Sequence, residues 1–420
     1  MRIIVIGNGG REHALAWKIS ESKEVQNIYC IPGNGGTASL DRCENIPIAA
    51  DDFLAIANFA KDNRVELVIV GPELPLSLGI ADYLRNEGIA VFGPGQEGAQ
   101  IEASKSWAKE LMTAAGVPTA QSGTFTDLAS AKEYINSQGA PIVVKADGLA
   151  AGKGVIVASS LEDALRGVDD LFDEGFTKVV VEEFLVGEEV SLLVITDGIS
   201  FRVLPPAQDH KRIGEGDTGK NTGGMGVYAP APVATQEILQ RVETEVIIPV
   251  LNLLRQRSID YRGILYAGLM ITPAGEPKVL EFNCRFGDPE TQAVLPLIDS
   301  SLYELLLACS QGRLSQAPPL EIKPAASVCV VAASGGYPDA YEKGKVITGI
   351  KEAEDSGVTV FHAGTLRKTG QLLTDGGRVL GVTGIGPDFS GAIERVYNAI
   401  DRIHFPGIYY RRDIGHRVKA

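Results

Sequence analysis

KADGLAAGKGVIVA, residues 145–158, sets Gly148, Gly152, Lys153 and Gly154 between two apolar runs. It invites comparison with the phosphate loop G-x-x-x-x-G-K-[ST] and departs from it. Three residues, not four, separate Gly148 from Gly152, and Gly154 follows Lys153 where a magnesium-binding hydroxyl belongs. The phosphate loop also opens a helix, whereas Val155-Ile156-Val157-Ala158 is a β-branched run that reads as a strand. With PIVVKA in front, the stretch predicts strand–loop–strand. A glycine loop at a hairpin tip can fold over phosphates from above, offering backbone N–H groups that no Cβ obstructs. An ordinary hairpin turn fits the same residues.

The chain around it has 420 residues, enough for about three domains and an ample core. Hydrophobic residues make up 45% and charged residues 22%, as in ordinary globular proteins. A net charge of −14 argues against a nucleic-acid partner or an anionic membrane surface, both of which need clustered Lys and Arg. A nucleotide is still compatible, because a few lysines and a divalent cation neutralise phosphates locally. Cys30, Cys43, Cys284, Cys309 and Cys329 form no C-x-x-C motif, so no zinc signature is present, and an odd, scattered set points to a reducing compartment. MRIIVIG is too short for a signal-peptide core and no apolar run reaches the length of a membrane span, so the expected location is the cytoplasm.

The expected fold class is multidomain, α/β followed by α+β. Residues 1–100 alternate strands (RIIVIG, NIYCIPG, ELVIVGP, IAVFGP) with helices near 12, 51 and 77–87, which predicts a parallel α/β domain. Residues 101–120 read as a helical connector ending before Gly116-Val117-Pro118, and 121–190 as a smaller unit carrying the glycine hairpin and VVVEEFL. Residues 191–315 hold strands, a helix and the hairpin GILYAGLMITPAGEPKVLEFN. Pro-rich 316–326 reads as a linker, and 327–420 as a small β-rich domain with a helix near 388–403.

Within 1–100, VIGNGGREHALA fits only part of a dinucleotide fingerprint. Gly7 and Gly9 match, Glu12 replaces the third glycine, and the second strand ends in Ile31-Pro32-Gly33 without the acidic residue a ribose needs. NAD binding is therefore not expected. A small phosphate at the loop, with Arg11 as a forked partner, is one reading, and a tight strand–helix turn is the other. PGNGGT (32–37) and GPELPL (71–76) end neighbouring strands and crowd the same rim.

KVLEFNCRFGDPETQ, residues 278–292, carries the strongest chemical signal. Glu281 and Asn283 are two apart on a predicted strand and share a face, a carboxylate beside an amide oxygen that suits magnesium, with Arg285 on the same side to steady an anion. Polar alternation on a half-buried strand is the bland alternative. Asp288-Pro289-Glu290 reads as a helix start with Asp288 as N-cap. After VVVEEFL, the Glu183–Leu185 backbone could meet an adenine edge, and Glu188 or Glu189 ribose hydroxyls; a solvated acidic turn fits as well. Residues 208–232 have too many glycines for regular structure and too many ionisable groups for a linker. They read as an active-site lid with Asp209, His210, Lys211, Arg212, Lys220 and Asn221 as candidates, or as a solvated loop. His13, His362, His404 and His416 have no ligand spacing and read as structural.

In order, a lysine before a glycine hairpin, the E-E-F-L turn, the glycine-rich segment and the E-F-N strand resemble the ATP-grasp superfamily. IGNGGREHALAWK, GPELPL, KADGLAAGKGV, QDHKR, NTGGMG, EFNCRFGDPETQ and FHAGT resemble the glycinamide ribonucleotide synthetase family, over about residues 1–415. The resemblance implies an ATP-grasp core of two subdomains, 121–190 as lid and 191–315 as metal-bearing part. It implies ATP-dependent joining of glycine to 5-phosphoribosylamine through glycyl phosphate, in de novo purine biosynthesis, with magnesium or manganese; another ATP-grasp carboxylate–amine ligase is the alternative. A monomer is expected, with an oligomer left open.

Carried over by position, the resemblance places ATP against Lys105, Lys145, Gly148, Gly152, Lys153 and Gly154, adenine against Glu182, Glu183, Phe184 and Leu185, and ribose against Glu189 or Glu188. It puts the metal on Glu281 and Asn283 and chemistry at Arg285, Asp209 and Lys211. Substrate falls to Gly9, Gly10, Pro32, Gly33, Gly35, Gly36, Glu73, Asn221, Thr222, Gly223 and Asp288. Many ATP-grasp enzymes carry another acidic metal ligand on the preceding strand; aligning the hairpin puts Gly268 there, and Asp288 is a candidate to compensate.

Overall fold

The computed structural model describes residues 1–149 and 154–418, so Gly152 and Lys153 lie outside the described residues. Four sheets of four or five strands and two small hairpins build the molecule.

The first sheet is parallel throughout, with strands Cys43–Asn45, Asn27–Pro32, Arg2–Gly7, Leu67–Val70 and Val91–Phe92 side by side in that order. Its strands bury both faces. Ile4, Ile6, Val68 and Val70 enter one apolar cluster, and Ile3, Val5, Leu67 and Ile69 another. Chain order reverses between Arg2–Gly7 and Leu67–Val70, and ligands of open α/β sheets bind at the crevice such a reversal leaves. Gly9 and Glu73 stand at that crevice. Glu12, in the position of the missing third glycine, is buried there. A Cβ on Gly71 would come within 2.1 Å of Glu12 Oε1, and one on Gly7 within 2.5 Å of its Cγ. Glycines at two strand ends thus make room for one carboxylate. The helix expected near 77–87 is two, Glu73–Ser77 and Ile80–Asn86, separated at the left-handed Gly79.

The second sheet is antiparallel, in the order Ser122–Phe125, Val179–Glu183, Ile142–Ala146, Val155–Ala158. The strands on either side of the glycine loop pair as the sequence predicts, Lys145 opposite Val155. Helices Leu128–Gln138 and Leu161–Asp173 cover one face through Ala131, Ile135, Ala164 and Val168, onto Val144 and Val181. Lys145 and Glu182 point to the other face.

The third sheet, also antiparallel, runs Phe201–Val203, Glu188–Thr196, Gly263–Ile271, Pro277–Asn283. The fourth runs Gln208–Asp209, Gly226–Ala229, Ala326–Ala333, Arg378–Gly386, Thr359–His362. Its first two strands correct the reading of 208–232 as irregular. That segment forms two strands of this sheet and a hairpin, Arg212–Gly214 with Thr218–Asn221. The glycines fall at turns and close contacts: Gly216 and Gly219 have positive φ, and a Cβ on Gly226 would strike Ile414. Arg411 bonds Asp217 and the Arg212 carbonyl and fixes the hairpin, while Lys220 pairs with Asp339.

No helix among the described residues is long and apolar enough to cross a membrane.

Candidate active site

The strand Pro277–Asn283 is not a regular alternation. Val279 and Phe282 are both core, three residues apart, because a bulge at Leu280 shifts the register: Leu269 pairs with Val279, but Gly268 with Glu281. The bulge turns Glu281 out into the cleft between the second and third sheets, and Asn283 follows on the same face. Gly268 is thus the direct neighbour of Glu281, and a Cβ there would sit 3.2 Å from Glu281 Cγ.

Four cationic side chains surround this carboxylate. Desolvation raises the Glu281 carboxyl, but Lys211, Lys145, Arg285 and Lys105 outweigh it and hold the group below its ordinary range. Lys105 opens the helix Lys105–Ala115 and donates to the Gly148 carbonyl at 2.9 Å, tying that helix to the start of the glycine loop. Burial lowers its ammonium, with Glu281 pulling the other way. Lys145 donates to Glu182 Oε1 at 3.0 Å and to the Leu280 carbonyl, in the bulge, at 3.3 Å. Lys211 pairs with Glu189 at 2.5 Å; desolvation would lower it, but Glu189 and Glu281 carry it above its ordinary value. The strand register separates the two ribose candidates: Glu189 lies on the Glu281 face, while Glu188 faces away and lines a cavity of about 420 Å³ with Val233 and Ile238.

Arg285 is held by two carboxylates from the N-terminal part of the chain. One terminal nitrogen lies 2.8 Å from Glu102 Oε1 and 3.2 Å from Asn283 Oδ1, and Nε stands 3.4 Å from Glu73 Oε2. That last contact is not aligned as a hydrogen bond, so the buried Nε–H lacks an acceptor among the described residues. Burial would lower the guanidinium, but Glu102 and Glu73 hold it up. Glu102 was missed in the sequence. It ends a helix, and its role shows only once it accepts the Cys284 N–H and the Arg285 fork.

Two rim expectations need correction. Arg11 is not a free phosphate fork: it is buried, bonding Glu12 at 2.5 Å and the Phe286 carbonyl at 3.0 Å. Asp288 is not an N-cap: Pro289 takes that position before the helix Glu290–Val294. Asp288 instead accepts from the Arg11 N–H (3.0 Å) and Gln292 (3.0 Å) and pairs with Arg378 (3.3 Å), so it is turned away from Glu281. Arg378, a second residue missed, also reaches the Gly223 and Asp288 carbonyls at 2.6 and 2.8 Å and ties together three parts of the chain. Gly10 is packed against Gln292, whereas Gly9 is half-open. Pro32 and Gly33 are half-buried. Gly35 and Gly36 are buried beneath FHAGT, with the Gly35 N–H on the Thr365 carbonyl at 3.1 Å.

Glu182 carries its carboxylate into the interior, shared between Lys145 and Lys109, while Glu183 and Phe184 are exposed and Leu185 packs with Ala120, Met270 and Leu280. Gly148 has positive φ, and Gly154 is buried at the far end of the loop. Asp209 is half-buried beneath Gly224. Burial and the nearby Glu290 carboxylate push its carboxyl well up. His210 is structural: Nε2 accepts the Gly415 N–H at 3.3 Å, so Nδ1 carries the proton towards the Gly226 carbonyl, and burial beside Arg417 and Arg411 lowers its pKa to about 3. Thr222 binds the Lys211 carbonyl through N–H and hydroxyl, and Asn221 is exposed opposite Arg212. The other histidines pair in space. His13 Nδ1 accepts the His362 N–H at 2.8 Å, and the His210 and His416 rings are 5.4 Å apart.

Sequence profiles of the phosphoribosylglycinamide synthetase N domain, ATP-grasp (A) domain and C domain match residues 1–102, 103–291 and 327–417. The chain belongs to the phosphoribosylglycinamide synthetase family. Within that family, phosphoribosylamine–glycine ligase of Nostoc sp. is 60% identical over the full length of both chains, and that of Synechocystis sp. 57%, again over both full lengths. The crystal structure of phosphoribosylamine–glycine ligase from Thermotoga maritima, 34% identical, superposes with a TM-score of 0.85 over 99% of this chain and 100% of that one. The family resemblance read from the sequence therefore holds, as does the fold class: a parallel N-terminal sheet, antiparallel ATP-grasp sheets and a C-terminal domain. The chain is an ATP-grasp ligase.

Proposed function

We propose that the cleft joins glycine to 5-phosphoribosylamine at the expense of ATP, giving glycinamide ribonucleotide, ADP and phosphate. The observation that carries the reading is Glu281, with Asn283 beside it, ringed by Lys105, Lys145, Lys211 and Arg285. One carboxylate among four cations suits a polyanion better than a neutral ligand. The exposed Glu183–Phe184 edge and the apolar group of Ala120, Leu185, Met270 and Leu280 suit a planar base, and Glu189 suits ribose hydroxyls. Lys105 and Lys145 are positioned for phosphates beneath the Gly148–Gly154 loop.

The donor set fits a divalent cation such as magnesium. Glu281 and Asn283 supply two oxygens; among the described residues no cluster of three or more His, Cys, Asp or Glu is arranged for a metal, and the remaining positions suit phosphate and water. Such an ion supplies charge neutralisation on the phosphates. The chain's residues do the rest by positioning. A glycine carboxylate oxygen attacks the γ-phosphorus of ATP and ADP leaves, which turns an unreactive anion into an acyl phosphate. The amine of phosphoribosylamine then attacks the acyl carbon and phosphate departs. Arg285, with its free Nε–H, steadies the oxyanion of that addition. Gly9, Glu73, Asp288 and Asn221–Gly223 are assigned to the substrates, and the enzyme is assigned to the cytoplasm as a monomer.

A panel of acids and amines with ATP, scored by ADP release, tests the reading. Glycine with phosphoribosylamine should turn over alone. Turnover with bicarbonate or a second amino acid in its place overturns it.

A further inference from the structure

Lys145 does not face the cleft by itself. Behind it lie three buried ionisable groups in a row. Glu182 directs Oε1 to Lys145 at 3.0 Å and Oε2 to Lys109 at 3.2 Å, and all three side chains are at most one-tenth exposed. Lys109 sits one helical turn beyond Lys105 on Lys105–Ala115. It also donates to Thr119 Oγ1 at 2.8 Å, and that hydroxyl donates to the Val279 carbonyl at 2.6 Å, two residues before Glu281. One ammonium is therefore anchored to the phosphate-side helix, the strand Val179–Glu183 and the strand of Glu281 and Asn283.

We propose that Lys109 is a positioning residue for nucleotide binding, keeping the Lys145 ammonium available to a phosphate by taking half of Glu182. The reasoning is charge balance. Two ammonium groups share one carboxylate, so the row carries one uncancelled positive charge, and Lys145 is the end of the row that opens on the cleft. Without Lys109 the carboxylate has a single counter-ion. In a poorly solvated setting such a pair closes on itself, and Lys145 becomes half of a neutral couple with little pull on an anion. Lys109 lies behind Glu182 and acts through it.

The inference rests on the cleft being a nucleotide site, so ADP binding to the wild-type protein with magnesium is measured first, by calorimetry; no binding there overturns the reading of the cleft itself. Given wild-type binding, Lys109→Met should weaken ADP roughly tenfold, the size of one hydrogen bond to a charged group. It should raise the KM for ATP by a similar factor, with kcat and the KM for glycine changed less than about twofold. Lys109→Gln, which keeps the hydrogen bonds but not the charge, should behave alike should the methionine variant fold poorly, and Lys109→Arg should restore affinity. In the Lys109→Met background, adding Glu182→Gln should recover binding, because the neutral amide releases Lys145. Wild-type ADP affinity in both Lys109→Met and Lys109→Gln, or a double variant weaker than the single one, overturns the inference.

Discussion

Arg285 and Arg411 are both arginines held between two carboxylates, and they are built to different ends. Arg411 is fully buried and every donor is used. It forks onto Asp413 through Nε and a terminal nitrogen, both at 2.8 Å, and gives the other terminal nitrogen to Asp217 and the Arg212 carbonyl at 2.9 and 3.0 Å. Arg285 meets Glu102 and Glu73 unevenly and leaves a buried N–H without an acceptor among the described residues. A saturated node stabilises the fold; an unsaturated one retains capacity for a ligand. The same contrast separates the surroundings: around Glu281 cations outnumber anions, whereas Arg411 and Arg417 are matched by Asp217 and Asp413.

Glu281→Ala strikes the unsaturated side and has the largest expected effect. Turnover should fall about a thousandfold, while the melting temperature moves by less than about 3 °C. Near-wild-type turnover at limiting magnesium would erase the distinction. Arg411→Met strikes the saturated side. It leaves two aspartates short of their partner and should cost about 3 kcal/mol in urea unfolding, with the activity of the folded fraction unchanged; a kinetic defect without a stability loss would reverse the assignment.

A pH series sharpens the structural side. His210 next to the Arg411 node and His362 under the N-terminal rim have pKa values lowered to about 3 and about 4, and burial lowers His13 too. An unfolded imidazole takes up its proton near pH 6.5, which these folded ones refuse. Stability should therefore be full above about pH 6.5 and decline on acidification towards pH 4, by roughly 1.4 kcal/mol per pH unit for each imidazole. His210→Gln should remove one such contribution from the slope, and an unchanged slope would count against it. The smallest effect belongs to Gly268→Ala. Its Cβ would press on Glu281 Cγ at 3.2 Å, and half-saturation by magnesium should rise roughly threefold with no change in melting temperature.

Much of the frame was legible because its signals are local. RIIVIG and ELVIVGP are continuous apolar runs, and PIVVKA and GVIVAS flank a glycine turn. Glu281 and Asn283 were legible by their spacing, but the bulge beside them was not, since Val279 and Phe282 violate the period of two that such reading assumes. Glu102, Lys109 and Arg378 gave no signal strong enough to single them out. Each acquires its role from a partner on another element: Cys284 and Arg285, Glu182, and Asp288 with Gly223. Lys109 alone left a faint trace, four residues after Lys105 on one helix face. The segment 208–229 misled for a related reason. Its glycines are local, but the strand that orders it, Ala326–Ala333, lies a hundred residues downstream.

That long-range pairing limits how the chain can be divided. Cutting at the proline-rich joint near 320 would strip Gly226–Ala229 of its neighbour and expose a raw sheet edge on the span that carries Lys211. Fusion partners can be appended at either end, but gene shuffling through the middle would yield halves that cannot complete each other's backbone, so the three regions are bound to be inherited as a block.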